Sequence, residues 1–170
     1  MRAFFLKTDR LGFSTWQTTD INLANSLWGE PAVTKFISAN GLFSKEQVHD
    51  RLNKEIKSDQ QYNVQYWPLF ELKTNKHIGC CGLHPYDLDK KTYEIGFHLK
   101  SAYWGNGYAT EAATAVIRYA FDQLKSKNLF AGHNPKNVAS KNLLLKLGFK
   151  YSHDEFYEPT GLNHPSYFYK

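Results

Sequence analysis

The chain has 170 residues, of which 42% are hydrophobic, 22% charged and 16% aromatic. This composition predicts one globular domain over residues 1–170 and excludes a disordered chain, and no apolar run approaches the roughly 18–20 residues of a membrane span. The net charge of +5 favours an anionic partner, but the basic residues are scattered, so nucleic acid is not the expected partner and a phosphorylated cofactor would use the same charge.

The N-terminal third is predicted to contain one strand and two helices. Leu11 to Trp16 has strand character, and Asp20 is expected to cap a helix over Ile21 to Trp28. Residues 44–47 have the form of a capping box, and apolar residues follow it at intervals of four. This spacing predicts a second helix from 45 to about 58.

Three strands are predicted next. Val64 to Leu72 and His77 to Leu83 are rich in apolar residues, and a turn is expected at Pro85 to Asp89. Tyr93 to Lys100 alternates, which places Glu94, Gly96, His98 and Lys100 on one face and Tyr93, Ile95, Phe97 and Leu99 on the other.

The C-terminal part predicts two helices and three strands. An apolar stripe at helical spacing runs from Ala109 to Leu124, and a helix over Val138 to Leu147 is expected to end at Gly148. The predicted strands are Leu129–Ala131, Phe149–Tyr157 and Ser166–Tyr169. Strands that alternate with helices and hairpins in this way indicate the α/β class with a mixed sheet.

The only cysteines, Cys80 and Cys81, are neighbours in the sequence. Adjacent cysteines disfavour a disulfide between them and provide no metal-ligand framework. The apolar stretch at the N-terminus ends at Lys7, too early for a secretory signal. We therefore predict a reducing, cytoplasmic setting, no metal and no membrane partner.

Residues 103–112 carry the strongest chemical signal, because two glycines lie between a patterned strand and the strongest helix. The free amides of a helix start form an anion site, into which a pyrophosphate would fit. The segment lacks the Gly-Lys-Ser/Thr of a P-loop, and Thr110 replaces the third glycine of a Rossmann fingerprint. The alternative is a tight turn without a ligand.

A second segment, residues 137–149, reads Asn-x-x-Ser followed by Lys-Leu-Gly-Phe. With Trp104 to Ala109, it resembles the GCN5-related N-acetyltransferase (GNAT) superfamily. The sequence of residues 104–112 is similar to that of the branch of RimJ/RimL-type ribosomal-protein N-terminal acetyltransferases. Two further segments share this similarity, Thr8-Asp9-Arg10-Leu11 and Ile78-Gly79-Cys80-Cys81-Gly82. The resemblance covers nearly the whole chain.

The resemblance implies a GNAT fold: a single α/β domain whose mixed, mostly antiparallel central sheet is flanked by helices and splayed at the acetyl-CoA site. It implies transfer of acetyl from acetyl-CoA to a primary amine, which is either a protein N-terminal α-amine or the amine of a small molecule. A homodimer is a further expectation. The alternative is a catalytically silent acyl-CoA-binding or regulatory module.

The resemblance also implies which residues bind acetyl-CoA. Backbone groups of Phe97, His98 and Leu99 would pair with pantetheine, and Asn137 would bond it or cap its own helix. Trp104 replaces the usual Gln or Arg, so that backbone amides must bind the phosphates. The expected loop and helix-start residues are Trp104, Gly105, Asn106, Gly107, Tyr108, Ala109 and Thr110.

Two residues are expected to move protons. Glu94 is the candidate base, with His98 as the alternative, although either could be an ordinary surface group. Leu144 stands where many superfamily members place a tyrosine that protonates the leaving thiolate, and the role is assigned to Ser140, which could instead cap its helix. The aromatic candidates for the acceptor pocket, some of which are expected to be core, are Trp28, Phe36, Tyr66, Trp67, His84 and Tyr86.

Overall fold

Residues 2–170, which the computed structural model describes, contain eight strands in one sheet. The strands are β1 (Leu6–Lys7), β2 (Leu11–Phe13), β3 (Tyr66–Glu71), β4 (Lys76–Asp87), β5 (Thr92–Leu99), β6 (Asn128–Gly132), β7 (Lys150–Tyr157) and β8 (Leu162–Tyr169). Their order in the sheet is β1-β2-β3-β4-β5-β6-β8-β7.

Five α-helices flank the sheet, and the ends of two of them follow from local sequence. They are α1 (Ile21–Trp28), α2 (Pro31–Thr34), α3 (Lys45–Tyr62), α4 (Tyr108–Asp122) and α5 (Val138–Leu147). Ser44 and Gln47 form the predicted capping box of α3, which ends at Asn63 in the left-handed region. Gly148 ends α5 with a φ of 100°, as predicted.

The sheet is mixed and mostly antiparallel, and it opens between β5 and β6. The pairs from β1 to β5 are antiparallel, as are those of β6, β8 and β7. The only parallel pair among the described residues, β5 with β6, covers Thr92–Glu94 and Asn128–Phe130. Beyond Glu94, β5 therefore leaves β6, which confirms the splayed sheet expected from the resemblance.

Each face of the sheet carries its own core. One core holds Ile95 and Leu99 against α4, while the other holds Trp16, Trp28 and Leu52 against α1 and α3. The predicted alternation of β5 is confirmed, because Glu94, Gly96 and His98 line a cleft instead of the α4 core. Burying both faces explains why apolar residues dominate the central strands.

Four predicted boundaries are wrong. The helix α3 ends at Tyr62 instead of about residue 58. β4 continues to Asp87 through the predicted turn, and a shift of register between Pro85 and Asp87 accommodates the proline. The first predicted strand stops at Phe13 instead of Trp16, and β8 begins at Leu162, four residues early. The short elements β1 and α2 were not predicted, because two to four residues show no periodicity.

Asp20 does not cap α1 through its side chain. Its carboxylate accepts hydrogen bonds from the Gln17 amide (2.9 Å) and from Arg2 (2.7 and 2.8 Å). Burial would raise the pKa of Asp20, but the hydrogen bonds from Arg2 and Gln17 hold that pKa below its usual value. The carboxylate thus ties the N-terminus to the start of α1.

Replacing Asp20 by asparagine is expected to lower the free energy of unfolding by about 1.5–3 kcal/mol at pH 7, because hydrogen bonds to a charged group are lost. The folded-state pKa is lowered, so this stability is present above the unfolded pKa and is lost as the pH falls through the folded value. Urea denaturation at pH 7 and pH 3 should show the difference shrinking in acid. Asp89→Asn, at an exposed turn, is the control.

Candidate functional site

A cleft of about 830 Å³ lies where β5 and β6 separate. Residues on the sheet face covered by α4 and residues on the face covered by α1 and α3 both line the cleft, so the cleft reaches both faces of the sheet. Its size is that of ordinary small-molecule sites. The predicted residues that line it are Phe36, Tyr66, Tyr86, Glu94, Phe97, His98, Leu99, Trp104, Gly105, Gly107, Tyr108, Ala109, Thr110, Asn137 and Ser140.

The start of α4 faces this cleft without a side-chain cap. Its N-cap, Gly107, has a φ of 77°, as has Gly105 before it. Side chains cap α3 and α5, but α4 presents the amides of Tyr108, Ala109 and Thr110 without intrahelical acceptors. Uncapped amides at the positive end of a helix fit a pyrophosphate.

The residues around this loop hold it in place. The Trp104 indole Nε1 donates to the Leu99 carbonyl (2.9 Å), and the Asn106 side chain donates to the carbonyls of Tyr103 and Trp104. The Asn106 side chain therefore shapes the turn and does not line the cleft.

The segment Thr8–Leu11 supports the same loop from outside. Arg10 donates to the Asn106 carbonyl (2.8 Å) and to Glu111 (2.7 Å), and the Thr8 hydroxyl donates to Glu111 (2.6 Å). Thr8, Asp9 and Arg10 form the turn between β1 and β2. The turn fastens the first turn of α4 to the sheet.

The alternating direction of backbone groups along β5 decides which of its residues face the opening between β5 and β6. The Lys100 amide donates to the Ile78 carbonyl of β4 (2.9 Å). Backbone groups of alternate residues point to the same edge, so His98 faces β4, whereas Phe97 and Leu99 face the opening. The backbone of His98 is thus not available to a ligand there, and its side chain alone lines the cleft.

The first turn of α5 presents Ser140 to the cleft. The Ser140 amide donates to the Asn137 side chain (3.1 Å), so Asn137 is the helix cap and Ser140 is not. Among the residues that the structure describes, the Ser140 hydroxyl has no hydrogen-bond partner. Leu144 is 1% exposed and packs in the core, where a phenol would have to be accommodated.

Glu94 lies on β5 at the point where the strand leaves β6. Its Oε1 accepts a hydrogen bond from the Tyr66 hydroxyl (2.8 Å). Burial and the charge of Glu94 raise the pKa of Tyr66 well above its usual value, so the phenol stays protonated. The phenol therefore orients the Glu94 carboxylate.

His98 is less suited to accept a proton. Its Nδ1 accepts from the Trp28 indole (3.2 Å). Desolvation, followed by the positive charge of Arg51, lowers the pKa of His98 well below its usual value. The buried His98 imidazole is therefore a weak proton acceptor at neutral pH.

Three of the proposed pocket aromatics do not line the cleft. Trp28 is fully buried beside His98, and Trp67 lies in the α4 core, 5.2 Å from the Tyr119 ring. His84 stacks on Tyr66 at 3.7 Å, one layer behind the cleft. Phe36, Tyr66 and Tyr86, by contrast, do line the cleft.

Two charged residues near the cleft were not predicted. Glu55 is fully buried, and its carboxylate accepts from the Tyr66 amide (2.8 Å) and contacts His84 Nε2 (2.8 Å). Arg51 precedes it by one helical turn and lines the cleft. The signal was present, because Glu55 occupies the apolar stripe of α3, seven residues after Val48.

Residues 2–170 contain no group of three or more His, Cys, Asp or Glu side chains that could hold a metal ion. Over the same residues, no helix is both long and apolar enough to cross a bilayer.

The comparisons with known proteins agree with this geometry. Residues 10–150 match the family described as "Acetyltransferase (GNAT) domain". The uncharacterized protein YkkB of Bacillus subtilis is 32% identical over 149 residues, which cover 86% of each chain.

Solved structures share the fold. A GNAT-family acetyltransferase from Bacillus anthracis superposes with a TM-score of 0.80 at 24% identity, covering 97% of this chain and 96% of its own. The ribosomal L7/L12 acetyltransferase RimL, in complex with coenzyme A, gives 0.82 at 13% identity, covering 98% and 97%. The match over most of the chain, with the fold that it shares, shows that this protein belongs to the GNAT acetyltransferase family and is an acyltransferase.

Proposed function

We propose that the protein transfers acetyl from acetyl-CoA to the nitrogen of a primary amine. The observation that carries the proposal is the cleft through the sheet opening, which brings the uncapped start of α4, Ser140 and Glu94 to one space. Membership of the GNAT family supports acetyl transfer. The cleft reaches both faces of the sheet and so offers a place for the acceptor amine beside acetyl-CoA.

The residues of the α4 side fit the coenzyme. The amides of Tyr108, Ala109 and Thr110 would hold the pyrophosphate, since they have no intrahelical acceptors. The Phe97 backbone at the open edge of β5 would pair with the pantetheine amides, as a neighbouring strand would. The bound coenzyme supplies an activated acetyl thioester.

The chain's own residues would move two protons. As the amine nitrogen bonds to the acetyl carbon, the amine loses a proton to Glu94, directly or through one water. As the carbon–sulfur bond breaks, the Ser140 hydroxyl passes its proton to the departing thiolate while it takes a proton from a solvent water, so that no alkoxide forms. A backbone amide of β5 that faces the opening would donate a hydrogen bond to the carbonyl oxygen of the acetyl group while that oxygen carries negative charge.

The acceptor must be neutral to attack, which bears on its chemical class. An α-amino group with a pKa of about 7.7–8.0 loses little at pH 7.4, whereas a lysine at about 10.4 costs roughly three pKa units, or about 4 kcal/mol. A single carboxylate base therefore suits a low-pKa amine, whether a protein N-terminus or a small molecule.

The second candidate function is a silent acyl-CoA-binding module. The observation in its favour is Leu144, which is buried where many relatives carry a tyrosine acid. An acceptor screen with acetyl-CoA, read by free-thiol release across amino acids, peptides, polyamines and aminoglycosides, separates the two. Coenzyme binding without thiol release from any acceptor would favour the silent module.

A homodimer forms part of the proposal. The edge strand β7 is exposed along its length, and Phe156 and Tyr151 on it are 68% and 55% exposed. Exposed edge strands with apolar side chains invite pairing with a second chain. Sedimentation equilibrium tests this, and a monomer at micromolar concentration would contradict it.

Replacing Gly107 by valine is expected to weaken coenzyme A binding about tenfold. Space is not the obstacle, since the nearest atom to an added Cβ is Arg10 Nη2 at 3.5 Å. The φ of 77° is the obstacle, because a β-branched residue is strained there by about 1–2 kcal/mol. Titration calorimetry measures the effect.

Gly107→Asn is the matched control, since asparagine tolerates the left-handed region. It should bind coenzyme A nearly as the unchanged protein does. If the unchanged protein binds no coenzyme A at millimolar concentration, the proposed function is wrong.

A further inference from the structure

The acceptor side of the cleft contains a cation that the proton transfers do not use. Arg51 projects from α3, and its side chain is 20% exposed. Its Cζ lies 5.3 Å from the centre of the Trp28 ring and 5.7 Å from that of Tyr66. The guanidinium is thus held between aromatic rings, beside the residue that orients Glu94.

The donors of Arg51 lack acceptors among the described residues. Its Nε is buried without a hydrogen-bond partner. The Glu55 carboxylate stands 3.7 Å from Nε, which makes an ion pair but is too long for a hydrogen bond. The oxygens of Glu55 are already engaged by Tyr66 and His84.

The other charged side chains of the cleft have partners. Glu94 bonds to Tyr66, and the Glu155 carboxylate lies 2.8 Å from His153 Nε2. Within residues 2–170, Arg51 is therefore the charged cleft residue without a hydrogen bond. A guanidinium carries five donors in a planar fork that matches a carboxylate, and leaving them unpaired in a half-desolvated site is costly.

We propose that Arg51 binds a carboxylate of the acceptor, so that the substrate is a small amino carboxylic acid. This inference rests on the proposed function and names the substrate class of the same site. The amine would lie at Glu94 and the carboxylate at Arg51. The apolar residues Val33, Phe36 and Ile37 would contact the remainder of the molecule.

The local charge favours a carboxylate over a phosphate. Glu55 offsets part of the charge of Arg51 at 3.7 Å, so the net positive charge that remains matches a monoanion better than a dianion. A bidentate pair between a guanidinium and a carboxylate also fixes orientation, which would direct the amine toward Glu94.

The first test compares each amino acid with its own carboxamide as acceptor. The carboxamide lacks the anion, and its amine is less basic and therefore more often neutral at pH 7. Without an anion site, the carboxamide would be the better substrate. We expect instead that kcat/KM is at least about tenfold higher for the carboxylate form of L-α-amino acids than for the carboxamide.

The second test changes Arg51. Arg51→Gln is expected to raise KM for the carboxylate acceptor at least about tenfold, because charge-assisted hydrogen bonds are lost. The kcat, the coenzyme affinity and the rate with the carboxamide should change less than about threefold. Lys54→Gln, the same charge change at an exposed position of α3, is the matched control.

Calorimetric titration of the amino acid into the coenzyme A complex provides a readout apart from turnover. Arg51→Gln should weaken this binding by the factor by which it raises KM. If Arg51→Gln does not fold, Arg51→Lys, which keeps the charge but loses the planar fork, should give a smaller change in the same direction.

The outcomes separate this inference from the proposed function. Thiol release with peptides or plain amines, and equal rates for carboxylates and carboxamides, would overturn the inference alone. A preference for aminoalkyl phosphates, or coenzyme binding without turnover of any amino acid, would also overturn it. If the unchanged protein fails to bind coenzyme A, both this inference and the proposed function are wrong.

Discussion

Replacing Glu94 by glutamine is expected to lower kcat at pH 7 by about 10²- to 10⁴-fold, the usual contribution of a general base. Glutamine keeps the shape and can still accept a hydrogen bond from Tyr66, which lies 2.8 Å from the Glu94 carboxylate. What is lost is the ability to take the proton of the amine. Steady-state thiol release with a competent acceptor measures the effect.

The pH profile distinguishes a base from a positioning role. The defect of Glu94→Gln should be largest below pH 8, where the amine still carries its proton, and should shrink as the pH rises and the amine becomes neutral without help. A defect that is constant from pH 6 to pH 9 would indicate that Glu94 only positions the acceptor. Glu158→Gln, exposed in the hairpin after β7, is the control.

Replacing Ser140 by alanine is expected to lower kcat by tens- to hundreds-fold, with the affinity for coenzyme A nearly unchanged. The expected loss is smaller than for Glu94, because a thiolate with a pKa near 8.5 can leave without an acid. The helix should survive the change, since the cap bond uses the Ser140 amide and the Asn137 side chain.

Ser140→Thr keeps the hydroxyl and should recover much of the lost kcat. Near-normal kcat at pH 7 in both Ser140→Ala and Glu94→Gln would show that the assignment of proton transfer is wrong. Catalysis would then depend on positioning, on the backbone amides of β5 and on solvent.

The sequence predicted those parts of the site that lie in one continuous segment. The glycines at 105 and 107, a cap of α5 at either Asn137 or Ser140, and the alternation of β5 each follow from neighbours within a few residues. Such local patterns carry their own physical cause, namely backbone sterics, hydrogen bonding of helix ends or the two-residue repeat of a strand.

Contacts between distant segments could not be predicted in this way. His84 meets Glu55 across 29 positions, and Trp28 meets His98 across 70. Which aromatic residue faces the cleft depends on the face of the sheet that each strand presents. Trp67 and Tyr66 are neighbours, yet adjacent strand residues point to opposite faces, so one is core and the other lines the cleft.

The pairing between β5 and β6 is short, and the two parts of the sheet that it joins differ in size and therefore in their own stability. Three residue pairs join a five-stranded half to a three-stranded half, and packing of α5 on α4 adds to this attachment. A coenzyme bound in the gap would contact both parts of the sheet and replace the hydrogen bonds that β5 and β6 do not make with each other there. Its binding free energy would then add to the cohesion of the folded chain, and cellular coenzyme supply would influence how long the protein survives proteolysis.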